Sequence, residues 1–159
     1  MTKILINIPI KSDVLQRIRA LPNAEIVVVT TPQPAAADVA VRAGTLAEQT
    51  HQKVAGVIEN MSSFPCPHCG EPIDLFGIGG GSIVAQTISS VLGTDVPLLG
   101  QIPFDVALRE GGDSGSPLVL SQPEAPASVA LLQIAETLGR RPRGLAGMSL
   151  GISPTRKNA

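Results

Sequence analysis

The chain has 159 residues, 43% of them hydrophobic and 16% charged, and a net charge of -1, which describes one packed domain and excludes a disordered chain. So little net charge leaves no electrostatic footprint for a nucleic-acid backbone or an anionic membrane. With no Trp, no Tyr and three Phe there are no stacking platforms for bases either, so no nucleic-acid or membrane partner is expected.

A core without aromatics must be built from Val, Ile, Leu and Ala, which suits a parallel sheet covered by helices. In chain order, Lys3–Ile8 (KILINI) reads as a strand. It is too short, and too soon interrupted by Asn7 and Pro9, to be the apolar region of a signal peptide. A cytoplasmic protein is expected. Ser12 or Asp13 can cap a helix through Leu21, and Glu25–Thr30 (EIVVVT) is a buried strand far too short to span a bilayer. Thr31-Pro32-Gln33-Pro34 is a loop, Ala35–Gln49 an Ala-rich helix and Lys53–Glu59 (KVAGVIE) a further strand. Asn60–Ile78, with three prolines and both cysteines, reads as a loop. Gly79–Gly81 then lead into a helix over Ser82–Leu92. Val96–Gly100 is a short strand, Asp105–Glu110 a helical turn, Gly111–Pro117 a Gly/Ser-rich loop and Ala125–Leu138 an amphipathic helix. Beyond Gly139 the composition turns basic and Gly/Pro-rich, as in a mobile tail. The alternation is that of βαβ units, in which binding chemistry gathers beyond the C-terminal ends of the strands.

The two cysteines form a single Cys-x-x-Cys, Cys66-Pro67-His68-Cys69-Gly70. In a reducing compartment this points to metal or redox chemistry rather than a structural disulfide. Pro67 and Gly70 favour a tight knuckle whose backbone N–H groups face the sulfurs. Two thiolates are half of a tetrahedral site. A second copy related by a two-fold axis supplies the other half, unless His51, His68 or a carboxylate completes the set within one chain. A metal-free, redox-active pair is the alternative. His68 is expected on the outside of the knuckle and His51 on the surface after its helix.

The run Gly77-Ile78-Gly79-Gly80-Gly81-Ser82 precedes a helix and could present N–H groups to an anion. It lacks the Lys of a phosphate-binding Gly-x-x-x-x-Gly-Lys-[Ser/Thr] loop, and that motif occurs nowhere in the sequence. A flexible hinge seating the cysteine loop is the preferred reading. Gly111-Gly112-Asp113-Ser114-Gly115 has no basic residue placed for phosphate, and Arg109 reads as solvated. Asn60, where the chain leaves a buried strand, offers amide donors and an acceptor for a base edge, or is an ordinary turn residue.

Taken together, these segments resemble the C-terminal half of the Mrp (ApbC) family of iron–sulfur carrier ATPases. The likeness is carried by Val29-Thr30-Thr31-Pro32-Gln33, Gly56-Val57-Ile58-Glu59-Asn60-Met61-Ser62, the cysteine knuckle, and Phe76-Gly77 with Gly79-Gly80-Gly81. It continues through Pro97–Asp105 and Arg109–Pro117, and is clear from about Glu25 to Pro117. The resemblance implies an α/β fold, a partial P-loop NTPase of the SIMIBI type with a mostly parallel sheet flanked by helices. It implies a homodimer that holds a [4Fe–4S] cluster between its subunits on Cys66 and Cys69, with Zn²⁺ as the other occupant that thiolates accept. Adenine-side contacts would fall on Asn60 and on Ile102-Pro103-Phe104-Asp105, with Pro103 and Asp105 as cofactor-binding residues. The family hydrolyses ATP and passes clusters to apoprotein acceptors.

The departure lies at the N-terminus. The family's deviant Walker A half is missing, and its switch segment is represented only by Asn7-Ile8-Pro9-Ile10-Lys11-Ser12-Asp13, without the leading carboxylate or the glycines. Residues 1–24 are thus a divergent strand and helix, 25–140 the Mrp-like domain and 141–159 the tail. Groups for Mg²⁺ and the β/γ-phosphates are absent, so ATP hydrolysis is not expected of this chain alone. Three functions are weighed: a cluster- or metal-binding carrier scaffold, ranked first; an ATPase whose phosphate-binding half comes from elsewhere; and a truncated module binding only zinc.

Overall fold

The computed structural model describes residues 3–5, 24–33 and 35–140, so the expected helix through Leu21 and the basic tail lie outside the described residues. Strands β1 (Lys3–Leu5), β2 (Glu25–Thr30), β3 (Lys53–Asn60) and β6 (Leu98–Ile102) form a four-stranded sheet in the order β1-β2-β3-β6. Every neighbouring pair is parallel, with Lys3 opposite Glu25, Glu25 opposite Lys53, and Asn60 opposite Ile102. Between β3 and β6 lie a two-stranded antiparallel hairpin, β4 (Phe64–Pro65) and β5 (Pro72–Ile73), and helix α2 (Gly80–Leu92). Helix α1 (Ala36–Thr50) connects β2 to β3, and α3 (Val106–Ser114), α4 (Leu118–Ser121) and α5 (Pro126–Arg140) follow β6.

The β-branched run of β2 is buried on both faces, as a central parallel strand requires. Ile26 and Val28 pack with Val54 and Val57 under Ala40 and Ala47 of α1 and Val84 and Ile88 of α2. On the opposite face Val27, Ala55, Ile58 and Ile102 pack under Leu118 of α4 and Ala127 and Ile134 of α5. Helices therefore cover both faces, and each fully buried Val or Ile contributes roughly 1.5–3 kcal/mol. A bulge in β3 keeps this alternation in phase. The register with β2 slips at Gly56, which adopts φ +152°. A side chain there would meet the Leu99 side chain at 2.5 Å and the Pro97 carbonyl at 2.7 Å, so only glycine fits.

Several expected boundaries move. The strand expected at Val96–Gly100 forms at Leu98–Ile102, because Pro97 has no N–H for a ladder, although its carbonyl accepts the Val57 N–H at 2.9 Å. The segment expected to end at Glu110 as one turn runs helical to Ser114, through Gly111 and Gly112. Gly115 closes it in the left-handed conformation, and the Ser116 N–H returns to the Gly111 carbonyl at 2.8 Å. Arg109 is exposed and pairs with Glu110 and Asp113 on the same helix. His51, also exposed, ends α1 at φ 54°. Among the described residues, no helix is long and apolar enough to cross a membrane.

Candidate metal centre and its footing on the sheet

The segment read as loop from Asn60 to Ile78 is ordered by its backbone. The Ser62 N–H donates to the Ile102 carbonyl at 3.0 Å and the Phe104 N–H to the Ser63 carbonyl at 2.7 Å, prolonging the β3–β6 contact past the sheet. Phe64 then pairs with Ile73, and Pro65 with Pro72, across the β4–β5 hairpin. All three phenylalanines of the sequence meet here. The Phe104 ring lies edge-on to Phe64 at 5.8 Å between centroids and tilted against Phe76 at 6.3 Å. This cluster ties the hairpin to the loop that follows β6. Alternating prolines and glycines concealed it in the sequence, because the pairing partners are distant along the chain.

The hairpin tip is the cysteine knuckle. The Cys66 N–H donates to the Glu71 carbonyl and the Gly70 N–H to the Cys66 carbonyl, each at 2.9 Å, with Gly70 at φ +77°. The backbone N–H groups of His68 and Cys69, with the Cys69 thiol, donate to the Cys66 sulfur and hold its thiol below the ordinary cysteine range. Cys66 is half-buried and Cys69 exposed, both as free thiols, and His68 is exposed. Among the described residues, no three His, Cys, Asp or Glu side chains come together as a metal site. The donor set fits half of a four-thiolate site: two adjacent sulfurs on a rigid turn, one already supported by N–H donors.

Gly80 and Gly81 are not a hinge. Helix α2 begins at Gly80, two residues ahead of the expected Ser82, and Gly80 and Gly81 are buried. A Cβ on Gly80 would lie 2.6 Å from the Thr31 carbonyl oxygen, and one on Gly81 would lie 2.7 Å from Glu59 Cβ. The glycines let the helix start press against the ends of β2 and β3. Nor is the Gly81 N–H open to an anion, since Glu59 Oε2 accepts it at 2.5 Å.

Glu59 itself was not singled out in the sequence. It is 1% exposed, and its second oxygen accepts from Gln101 Nε2 at 2.6 Å. The signal was a carboxylate closing an otherwise apolar strand. Of the nucleotide-side candidates, Asn60 stands opposite Ile102 in register, which places it beside Pro103 at one end of the sheet. Asn60 Oδ1 accepts the Met61 N–H at 2.9 Å. The Asp105 carboxylate caps α3, with Oδ1 accepting the N–H groups of Ala107 at 2.8 Å and Leu108 at 3.2 Å.

The chain is similar to known proteins along most of its length. Over 137 residues the chain is 57% identical to the protein named iron-sulfur cluster carrier protein of Mycobacterium tuberculosis, covering 86% of this chain and 36% of that one. It is 35% identical over 135 residues to the protein of the same name of Pyrococcus horikoshii, covering 85% and 43%. The chain thus spans less than half the length of either relative. Among solved structures, the MinD cell division protein of Aquifex aeolicus shares the fold, with a TM-score of 0.50 at 22% identity over 77% of this chain and 47% of that one. Residues 7–139 match the family described as ParA: NUBPL iron-transfer P-loop NTPase, a stretch that starts ahead of Glu25 and takes in both cysteines, and the chain belongs to that family.

Proposed function

We propose that this chain is an iron–sulfur cluster binding and carrier protein whose cargo is a [4Fe–4S] cluster shared between two copies. The observation that supports it most directly is the knuckle: two adjacent sulfurs on one rigid turn, with no third candidate ligand gathered around them among the described residues. Four thiolates complete a site where two do not, and a two-fold axis through the knuckles supplies them. The relatives' name, iron-sulfur cluster carrier protein, supports the same reading.

In this reading Cys66 and Cys69 are the ligands, and the N–H groups of His68 and Cys69 stabilise the thiolate of Cys66. The exposure of Cys69 leaves the cargo open to transfer to apoprotein acceptors in the cytoplasm. Asn60 and Pro103, with Asp105 two residues further, mark the end of the sheet where an adenine nucleotide would sit. The sequence has no Lys-bearing phosphate loop, so this chain is not proposed to hydrolyse ATP by itself.

Anaerobic reconstitution with iron and sulfide, followed by iron analysis, a visible spectrum and sedimentation, tests the proposal. One cluster per two chains in a dimer is expected, lost in Cys66→Ser and in Cys69→Ser and kept in His68→Ala. One metal per chain in a monomer, surviving Cys69→Ser, would overturn it, and Zn²⁺ retention without cluster formation would reduce it to a zinc module.

A further inference from the structure

We infer that Glu59 is a positioning residue for the cysteine hairpin, which rests on the reading of Cys66 and Cys69 as metal ligands. The excursion that carries the knuckle leaves the sheet after Asn60 and returns at Gly80. Its outgoing limb is held by backbone bonds, Ser62 to Ile102 and Ser63 to Phe104. Its returning limb pairs with the outgoing one only at β5, and beyond it joins no ladder of the main sheet, because the chain there turns into a helix. Glu59 takes the place of a ladder. One carboxylate oxygen accepts the Gly81 N–H at 2.5 Å and the other accepts Gln101 Nε2 at 2.6 Å, so one side chain joins the ends of β3 and β6 to the start of α2.

Burying a carboxylate is costly unless both oxygens are satisfied, and no cationic side chain pairs with Glu59 among the described ion pairs. Such a group is unfavourable as generic core filling. At a helix start, beside N–H groups that lack partners, it makes charge-assisted bonds of fixed direction. The fit is close on every side: Gly81 could not carry a Cβ against Glu59, and Gly80 could not carry one against the Thr31–Pro32 backbone. The returning limb is thereby fixed in position rather than merely attached. A metal site divided between two copies depends on that, since an error in the base of each hairpin is doubled across the axis.

The test is Co²⁺ titration of the full chain under anaerobic conditions, read from the thiolate-to-cobalt absorption, with far-UV circular dichroism on the same samples well below the unfolding transition. Glu59→Ala is expected to bind Co²⁺ about tenfold more weakly while its dichroism stays that of the unaltered protein. Glu59→Gln, whose amide oxygen can still accept from Gly81 while Gln101 turns its own amide over, is expected to retain affinity within about twofold. Should Glu59→Ala not fold, Glu59→Asp, one methylene too short for both partners, takes its place with the same expectation. Unaltered Co²⁺ affinity in folded Glu59→Ala or Glu59→Asp would overturn this inference alone, as would a loss that only tracks the unfolded fraction. Absence of thiolate–cobalt bands in the unaltered protein would refute the metal-site reading, and this inference with it.

Discussion

Phe104 meets Phe64 edge-on with their ring centroids 5.8 Å apart, and through that contact the loop after β6 carries the base of the cysteine hairpin. Phe104 touches Phe76 as well, on the limb returning to α2. One ring therefore braces both limbs. Phe104→Ala is expected to destabilise the fold by about 1–2 kcal/mol, less than a fully buried ring because Phe104 is only half-buried. Hydrogen exchange should quicken at the Cys66 amide before the core strands respond. Unchanged exchange there would show that the backbone bonds alone hold the hairpin.

Two glycines at helical positions should answer the same substitution with opposite signs. Gly80→Ala forces a methyl group against the Thr31 carbonyl at 2.6 Å, which is backbone and cannot swing away. A loss of about 2–3 kcal/mol is expected. Gly112 lies inside α3 with nothing within 4 Å of a Cβ. Gly112→Ala should therefore stabilise by about 0.5–1 kcal/mol, as removing a glycine from a helix interior does. Urea midpoints at constant slope decide both.

The Asp105 side chain is committed to the first turn of α3, so Asp105→Ala should cost about 1 kcal/mol whether or not nucleotide is present. Asp105→Asn, which keeps an acceptor oxygen at the cap, should cost a few tenths at most. Thermal unfolding of the two variants side by side checks this. An equal loss in both would mean that the charge rather than the acceptor matters.

Cys66 should form its thiolate at lower pH than a free cysteine, because the N–H groups of His68 and Cys69 and the Cys69 thiol stabilise the charged sulfur. A lowered pKa moves the rise in alkylation rate to lower pH. In metal-free protein, iodoacetamide labelling of the Cys66 peptide followed by mass spectrometry should show an inflection below that of free cysteine. An inflection at or above it would mean that these donors do not face the sulfur in solution.

Much of this protein was legible in its sequence. The apolar runs EIVVVT and KVAGVIE marked parallel strands, because a strand buried on both faces must be apolar throughout, and of KILINI the described part, Lys3–Leu5, is a parallel strand too. Cys-Pro-His-Cys-Gly marked the knuckle, because ligand type and spacing are local properties. The tertiary structure decided what depends on distant partners. It made the Asn60–Ile78 segment a hairpin braced by three phenylalanines, since Phe64, Phe76 and Phe104 meet only once β6 lies beside β3. It turned Gly80 and Gly81 from a hinge into a close contact at the end of the sheet, since glycine serves freedom and close approach equally well and only the neighbours decide which. And it gave Glu59, unremarkable as the last charge of an apolar strand, a buried place between a helix start and a glutamine 42 residues further along the chain.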